Sequence, residues 1–181
     1  MAEAAICLGS NIGDRKSYID RAVTLLAAFE GMRLVARSSY YSTKPWGPFP
    51  DQADFLNVCV LLETKLEPAR LVERCRTIES WLGRGRGVHL GPRVIDLDLL
   101  YVDDLEMDTP SVRLPHPRMM DRGFVLIPLA ELAPDKVIRG ERVADAAWRL
   151  ADAGIVRLDW PVSRPRERSW ELTSDARPAL P

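Results

Sequence analysis

Apolar positions along this chain recur with two alternating periods. Ala4 to Leu8 is a short apolar run closed by Gly9-Ser10-Asn11, which predicts a strand followed by a turn. Tyr18, Ile19, Ala22, Val23, Leu25, Leu26 and Phe29 then return at helical spacing and predict a helix from about Asp14 to Phe29. Asp14 suits its N-cap, and Gly31 follows its end. Leu34 to Thr43, rich in β-branched, Tyr and Ser residues, predicts a strand. Phe55 to Thr64 predicts another, with Val58, Val60 and Leu62 on one face. The segment between them, Lys44 to Asp54, is too long for a tight hairpin and is stiffened by Pro45, Pro48 and Pro50, as binding loops commonly are. Pro68 opens a further helix whose buried stripe is Leu71, Cys75, Ile78 and Leu82. A last core strand runs from about Val94 to Val102.

This order predicts an α+β protein with a ferredoxin-like βαββαβ core, an antiparallel sheet covered on one face by helices. Beyond the core, Gly123 to Leu132 and Glu141 to Ala151 read as helices and Ile155 to Leu158 as a closing strand. Residues 161 to 181 hold Pro161, Pro165, Pro178 and Pro181 among many charges with no apolar period, and read as a tail. The expected organisation is one domain over 1–160 and a Pro-rich tail over 161–181, without internal repeats.

Composition narrows the partners. The 181 residues are 46% hydrophobic and 28% charged, with a net charge of −1, so nothing draws the chain as a whole to nucleic acid or to an anionic membrane. No apolar run approaches a membrane span, and the N-terminus lacks the basic and apolar regions of a secretory signal. Three cysteines without paired spacing argue against a disulfide framework or a zinc site, and read as small core residues of a reducing cytoplasm. His89 and His116 are the only histidines, so a nitrogen or sulfur metal centre is not expected. A cytoplasmic monomer acting on small molecules is the expectation.

The chemistry concentrates in residues 89 to 100. Asp96 and Asp98 sit two apart inside an apolar run, so on a strand their carboxylates share a face, roughly 7 Å apart at the backbone. Two such charges repel unless a cation lies between them, and Mg²⁺ takes oxygen ligands while keeping places for water and phosphate oxygens. Arg93, Arg84 and Arg86 would meet those phosphates. Gly83-Arg84-Gly85-Arg86-Gly87 alternates permissive backbone with guanidinium, as a lid closing over ATP would; an exposed turn or an RNA-binding loop has the same composition. Glu79, one turn earlier, either orients the nucleotide or an arginine or forms a surface ion pair. Gly9 to Lys16 superficially resembles a phosphate loop, but its lysine does not directly follow the second glycine, so side chains must hold the triphosphate. His116, held between Pro115 and Pro117 and followed by Arg118 and Arg122, could contact a phosphate.

His89-x-Gly91-Pro92-Arg93-x-x-Asp96-Leu97-Asp98-Leu99-Leu100 resembles the signature of the 6-hydroxymethyl-7,8-dihydropterin pyrophosphokinase family of folate biosynthesis. Leu8-Gly9-Ser10-Asn11, Thr43-x-Pro45-x-Gly47-Pro48, Asp54-Phe55-Leu56-Asn57, Pro115-His116-Pro117-Arg118-Met119 and Arg122-Gly123-Phe124 fall in the family's order, over roughly residues 4 to 158. The resemblance implies transfer of diphosphate from MgATP to 6-hydroxymethyl-7,8-dihydropterin, releasing AMP. Asp96 and Asp98 would bridge two Mg²⁺ ions, with Arg84, Arg86 and Arg93 as further catalytic groups. Glu79, His116 and Arg122 would join these arginines at ATP. Phe55 and Phe124 would sandwich the pterin, Asn57 would bond its edge, and backbone groups of Thr43, Pro45 and Trp46 would complete that edge. Two positions depart from the pattern: Leu90 stands where some members carry a stacking aromatic, and Arg76 where some carry Gln.

Two other classes share parts of this pattern. A two-metal nucleotidyltransferase would release pyrophosphate instead of AMP. A ferredoxin-like RNA-binding module would show stacking aromatics on its central strands and a basic face, which this sequence lacks.

Overall fold

The structure, a computed structural model, describes residues 1–45, 52–84, 91–151 and 154–160. Its elements are β1 (Ala2–Ser10), α1 (Arg15–Ala28), β2 (Met32–Arg37), β3 (Tyr40–Thr43), β4 (Phe55–Thr64), α2 (Pro68–Trp81), β5 (Asp96–Val102), β6 (Met107–Asp108), β7 (Arg113–Leu114), α3 (Gly123–Ala130), β8 (Val137–Ile138), β9 (Glu141–Arg142), α4 (Val143–Arg149) and β10 (Val156–Leu158). The main sheet runs β10-β3-β4-β1-β5, with β2 also paired to β4, and every pairing is antiparallel.

Both faces of this sheet are covered, not one. Ile6, Leu8, Val58, Val60, Leu97 and Leu99 pack against α1 and α2 through Ile19, Ala22, Leu26, Leu71, Cys75 and Ile78. Ala5, Cys7, Cys59, Leu61 and Tyr101 face the other way, onto Val125, Leu126 and Leu129 of α3 and Val143 and Ala146 of α4. This is why β1 and β4 read as nearly unbroken apolar runs: each side chain has a helix to meet, whichever way it points.

Local chemistry sets the element ends. The Asp14 carboxylate caps α1 by accepting from the Ser17 N–H at 3.0 Å. The strand expected over Leu34 to Thr43 is two strands, because Ser38 and Ser39 interrupt it. The Ser38 hydroxyl takes the Cys59 N–H at 2.9 Å, while the Ser38 N–H donates to the Cys59 carbonyl at 2.9 Å. One serine thus occupies both main-chain groups of Cys59, and the strand restarts at Tyr40. The core strand starts at Asp96, two residues later than expected, and the last two helices are shorter than expected. The hairpins β6–β7 and β8–β9 have no counterpart in the sequence reading.

In β5 the register against β1 shifts by one, with Ile6 opposite Leu99 and Ala5 opposite Tyr101, so Leu100 is an extra residue. Its carbonyl accepts the His116 N–H at 2.7 Å, fixing the segment that carries His116 to the sheet. Among the described residues no helix is long and apolar enough to cross a membrane.

Candidate active site

Strand register brings the distant motifs together. Asn57, Gly9 and Asp96 stand in one row across β4, β1 and β5, and Cys59, Cys7 and Asp98 form the next. Directly opposed residues of antiparallel neighbours project on the same face. The carboxylate pair and the Asn57 amide therefore share the face that α3 and α4 cover only in part. Thr43 lies opposite Phe55 on the same edge, and the buried Asn57 Nδ2 donates to Thr43 Oγ1 at 2.8 Å. A Cβ on Gly9 would come within 2.9 Å of Asn57 Oδ1, so glycine keeps the floor between amide and carboxylates open.

Above this floor is a cavity of about 480 Å³. Thr43, Phe55, Asn57 and Phe124 line one part of it; Glu79, Arg84, Arg93, Asp96, Asp98, His116 and Arg122 line the rest. Arg76 also lines it, but Pro45 does not. Trp46, Arg86, His89, Leu90 and the tail over 161–181 lie outside the described residues.

The charges are already paired. Asp96 Oδ1 receives Arg84 Nη1 and Arg93 Nη1, each at 2.6 Å, and Asp98 Oδ2 faces Arg122 Nη1 at 3.3 Å. Glu79, buried at the end of α2, accepts the Leu97 N–H at 2.8 Å and binds the Arg84 guanidinium, so it orients an arginine rather than forming a surface pair. Burial pushes its carboxyl up to about 7, against the opposing pull of the Leu97 N–H and Arg84. Asp98 is raised as well, first by burial and then by the charge of Asp96, with Arg122, Arg93 and Arg84 opposing. Among the described residues no cluster of three or more His, Cys, Asp or Glu could hold a metal. The donor set here is two carboxylates, which suits a hard cation that fills its shell with water and phosphate oxygens.

Asn11 organises the site, a role the sequence does not assign it although it closes the Leu8-Gly9-Ser10-Asn11 motif. Its Oδ1 accepts the Arg93 N–H at 2.7 Å, and its own N–H donates to the Arg93 carbonyl at 3.0 Å. Its Nδ2 reaches Gln52 Oε1 and the Ala53 carbonyl, both at 3.2 Å. A buried Asn at the end of an apolar strand, two residues past a glycine, was the available signal.

His116 Nδ1 accepts the Arg118 N–H at 3.2 Å, which assigns its proton to Nε2. Arg139 braces the flanking prolines by donating to the Pro117 and Pro115 carbonyls at 3.1 and 3.3 Å. Burial, aided by Arg122, pushes the imidazole down to about 4. The folded value lies below the roughly 6.5 of an unfolded chain, so the native state binds fewer protons between these limits. Its contribution to stability is complete above about pH 6.5 and is lost as the pH falls toward 4. Allowing for partial solvent screening, that loss is about 1–2 kcal/mol. Urea unfolding of His116→Gln should show correspondingly less dependence on pH across this window than wild type. Parallel curves would refute the buried neutral imidazole.

An arginine-neutralised carboxylate pair beside a buried amide and two aromatics, on an α+β fold, is an arrangement suited to phosphoryl transfer. A model of the 7,8-dihydro-6-hydroxymethylpterin-pyrophosphokinase (HPPK) family matches residues 5–134, and the chain belongs to that family. The 2-amino-4-hydroxy-6-hydroxymethyldihydropteridine pyrophosphokinase of Methylorubrum extorquens is 47% identical over 159 residues, covering 88% of this chain and 100% of the relative. The enzyme of the same name from Bacillus subtilis is 47% identical over 129 residues, 71% of this chain and 77% of its own. Among solved structures, HPPK-DHPS in complex with substrates superposes with a TM-score of 0.69 at 12% identity, over 86% of this chain and 46% of the other. At that identity the likeness speaks for the fold alone, and this chain spans about half the length of that protein.

Proposed function

We propose that this protein transfers diphosphate from MgATP to the hydroxymethyl oxygen of 6-hydroxymethyl-7,8-dihydropterin, in folate biosynthesis. One observation carries the reading: the row Asn57–Gly9–Asp96 joins a slot suited to a flat, hydrogen-bonding heterocycle to a carboxylate pair suited to a metal-bound triphosphate, within one cavity. Phe55 and Phe124 supply the stacking faces and Asn57 the edge contact. Thr43 completes that edge through its backbone.

In the reaction the substrate hydroxyl oxygen bonds to the β-phosphorus of ATP and gives up its proton to solvent, the bond from that phosphorus to the α,β-bridging oxygen breaks, and AMP departs with the oxygen. Asp96 and Asp98 would hold Mg²⁺, two ions on the sequence reading, which neutralises the phosphate oxygens and orients the attacking and leaving groups. Arg84 and Arg93 share Asp96 Oδ1, so the carboxylate that would hold the cation and the arginines that would meet phosphate already lie side by side. Glu79, anchored by the Leu97 N–H, holds Arg84 at this position. His116, neutral with its proton on Nε2, and Arg122 would donate to phosphate oxygens.

We further infer that the strand order makes the core ferredoxin-like, that residues 1–160 act as one domain followed by a tail, and that the unit is a cytoplasmic monomer. The test is product identity with protein, Mg²⁺, ATP and the reduced hydroxymethylpterin. AMP formed only when the pterin is present supports the proposal. ADP, pyrophosphate release, or AMP independent of the pterin overturns it.

A further inference from the structure

Helix α3 carries Phe124 at its first turn and ends at Glu131. Its packing on the sheet is apolar, through Val125, Leu126 and Leu129, and such burial does not by itself fix where a helix sits along its partner. Glu131 supplies directional contacts. Its Oε2 accepts the Ser39 N–H at 2.9 Å and the Tyr41 hydroxyl at 3.0 Å, and its Oε1 accepts the Ser39 hydroxyl at 2.9 Å. Ser39 and Tyr41 are 6% and 7% exposed, while the Glu131 side chain is 30% exposed, so these bonds are partly shielded from water. Arg157 of β10 donates to Ser39 Oγ at 3.0 Å and approaches Glu131 Oε1 at 3.8 Å. That strand lies beyond the residues matched by the family model.

The far side of this cluster is the slot. Tyr41 stands directly opposite Asn57, and two residues on, Thr43 Oγ1 holds the Asn57 amide. Phe55 pairs with Thr43 itself. The described residues expected to line the slot, Thr43, Phe55, Asn57 and Phe124, are thus on β3, β4 and α3. Strands β3 and β4 are joined by their ladder; Glu131 joins α3 to them by three hydrogen bonds to one carboxylate.

We propose that Glu131 is a positioning residue for the pterin: by clamping α3 to β3 it sets the separation of Phe124 from Phe55 and the orientation of Asn57, with Arg157 reinforcing the clamp. This rests on the slot reading given above. The phenol of Tyr41, pushed up to about 12 by burial and by its bond to Glu131, stays a donor throughout the working range.

The experiment is calorimetry of 6-hydroxymethylpterin binding in the presence of Mg²⁺ and α,β-methylene-ATP, with the nucleotide analogue titrated separately. Glu131→Ala should weaken pterin binding about ten- to thirtyfold while nucleotide binding changes by less than about threefold. Glu131→Gln, which keeps one carbonyl acceptor, should recover a large part of the loss. Tyr41→Phe, which removes a single bond, should cost about three- to fivefold and needs no refolding of the clamp. If Glu131→Ala does not fold, the Gln and Phe variants carry the test. Equal losses for both ligands, or none for either, would mean that Glu131 is only structural. Phe124→Ala, run in parallel, separates the two readings. A selective pterin loss there without one at Tyr41 and Glu131 overturns the clamp alone, and no pterin loss there overturns the slot and the clamp with it.

Discussion

Asp96→Asn and Asp98→Asn should each lower turnover at saturating MgATP by about 10²–10⁴-fold. An oxygen ligand at a catalytic metal contributes about 3–5 kcal/mol of transition-state stabilisation, which corresponds to that range. Both changes keep the shape of β5 and remove one charge. Their effects on the unliganded protein should differ, because the surroundings differ. Asp96 neutralises Arg84 and Arg93 through a single oxygen, so an amide there leaves two guanidinium groups facing each other and lowers the melting temperature by a few degrees. Asp98 already resists ionisation through burial and the charge of Asp96, so its amide should leave the melting temperature unchanged or slightly raised. Turnover and thermal unfolding without metal test the pair together. Turnover within about threefold of wild type for both variants would make the carboxylates an ordinary polar strand face and remove the basis of the mechanism.

How much of this was legible in the chain depends on the distance over which each feature is decided. The common face of Asp96 and Asp98 follows from strand period alone, and the structure places them opposite Gly9 and Cys7 on one face. The N-cap of α1 and the proline start of α2 are equally local, and both were readable. The break at Ser38 was not, because it depends on the main chain of Cys59 in another strand. Which face of the sheet α3 covers is likewise no property of α3, whose residues are apolar nearly all round. Glu131 reads as the polar end of a helix until β3 is brought beside it. Sequence could therefore name residue types suited to metal, phosphate and aromatic stacking, whereas their convergence needed the registers of three strands. Glu79 shows the limit within one residue: its spacing from Arg84 allowed an ion pair, but only the Leu97 N–H makes it buried and oriented.

Gly9→Ala should reduce kcat/KM for the pterin by about 10²-fold while nucleotide binding stays within about threefold. Backbone strain is not the reason, since Gly9 lies in the regular ladder of β1 opposite Asn57. Alanine in such a position is ordinarily the better residue. The cost is space: the new methyl would stand 2.9 Å from Asn57 Oδ1 and 3.7 Å from the Phe55 ring. Asn57 must turn away, which breaks its bond to Thr43 and leaves a buried amide unpaired, at about 1–3 kcal/mol. The same turn withdraws the group that should meet the edge of the heterocycle, and the methyl fills the floor between it and Asp96. Because the methyl acts through Asn57, a cycle of Gly9→Ala with Asn57→Ala should be strongly non-additive, the second change costing far less once the first is present. Steady-state kinetics of the two single variants and the double variant decide this. Additive losses would place the effect of the methyl elsewhere, and kcat/KM retained within about threefold in Gly9→Ala would show that the substrate does not lie over this floor.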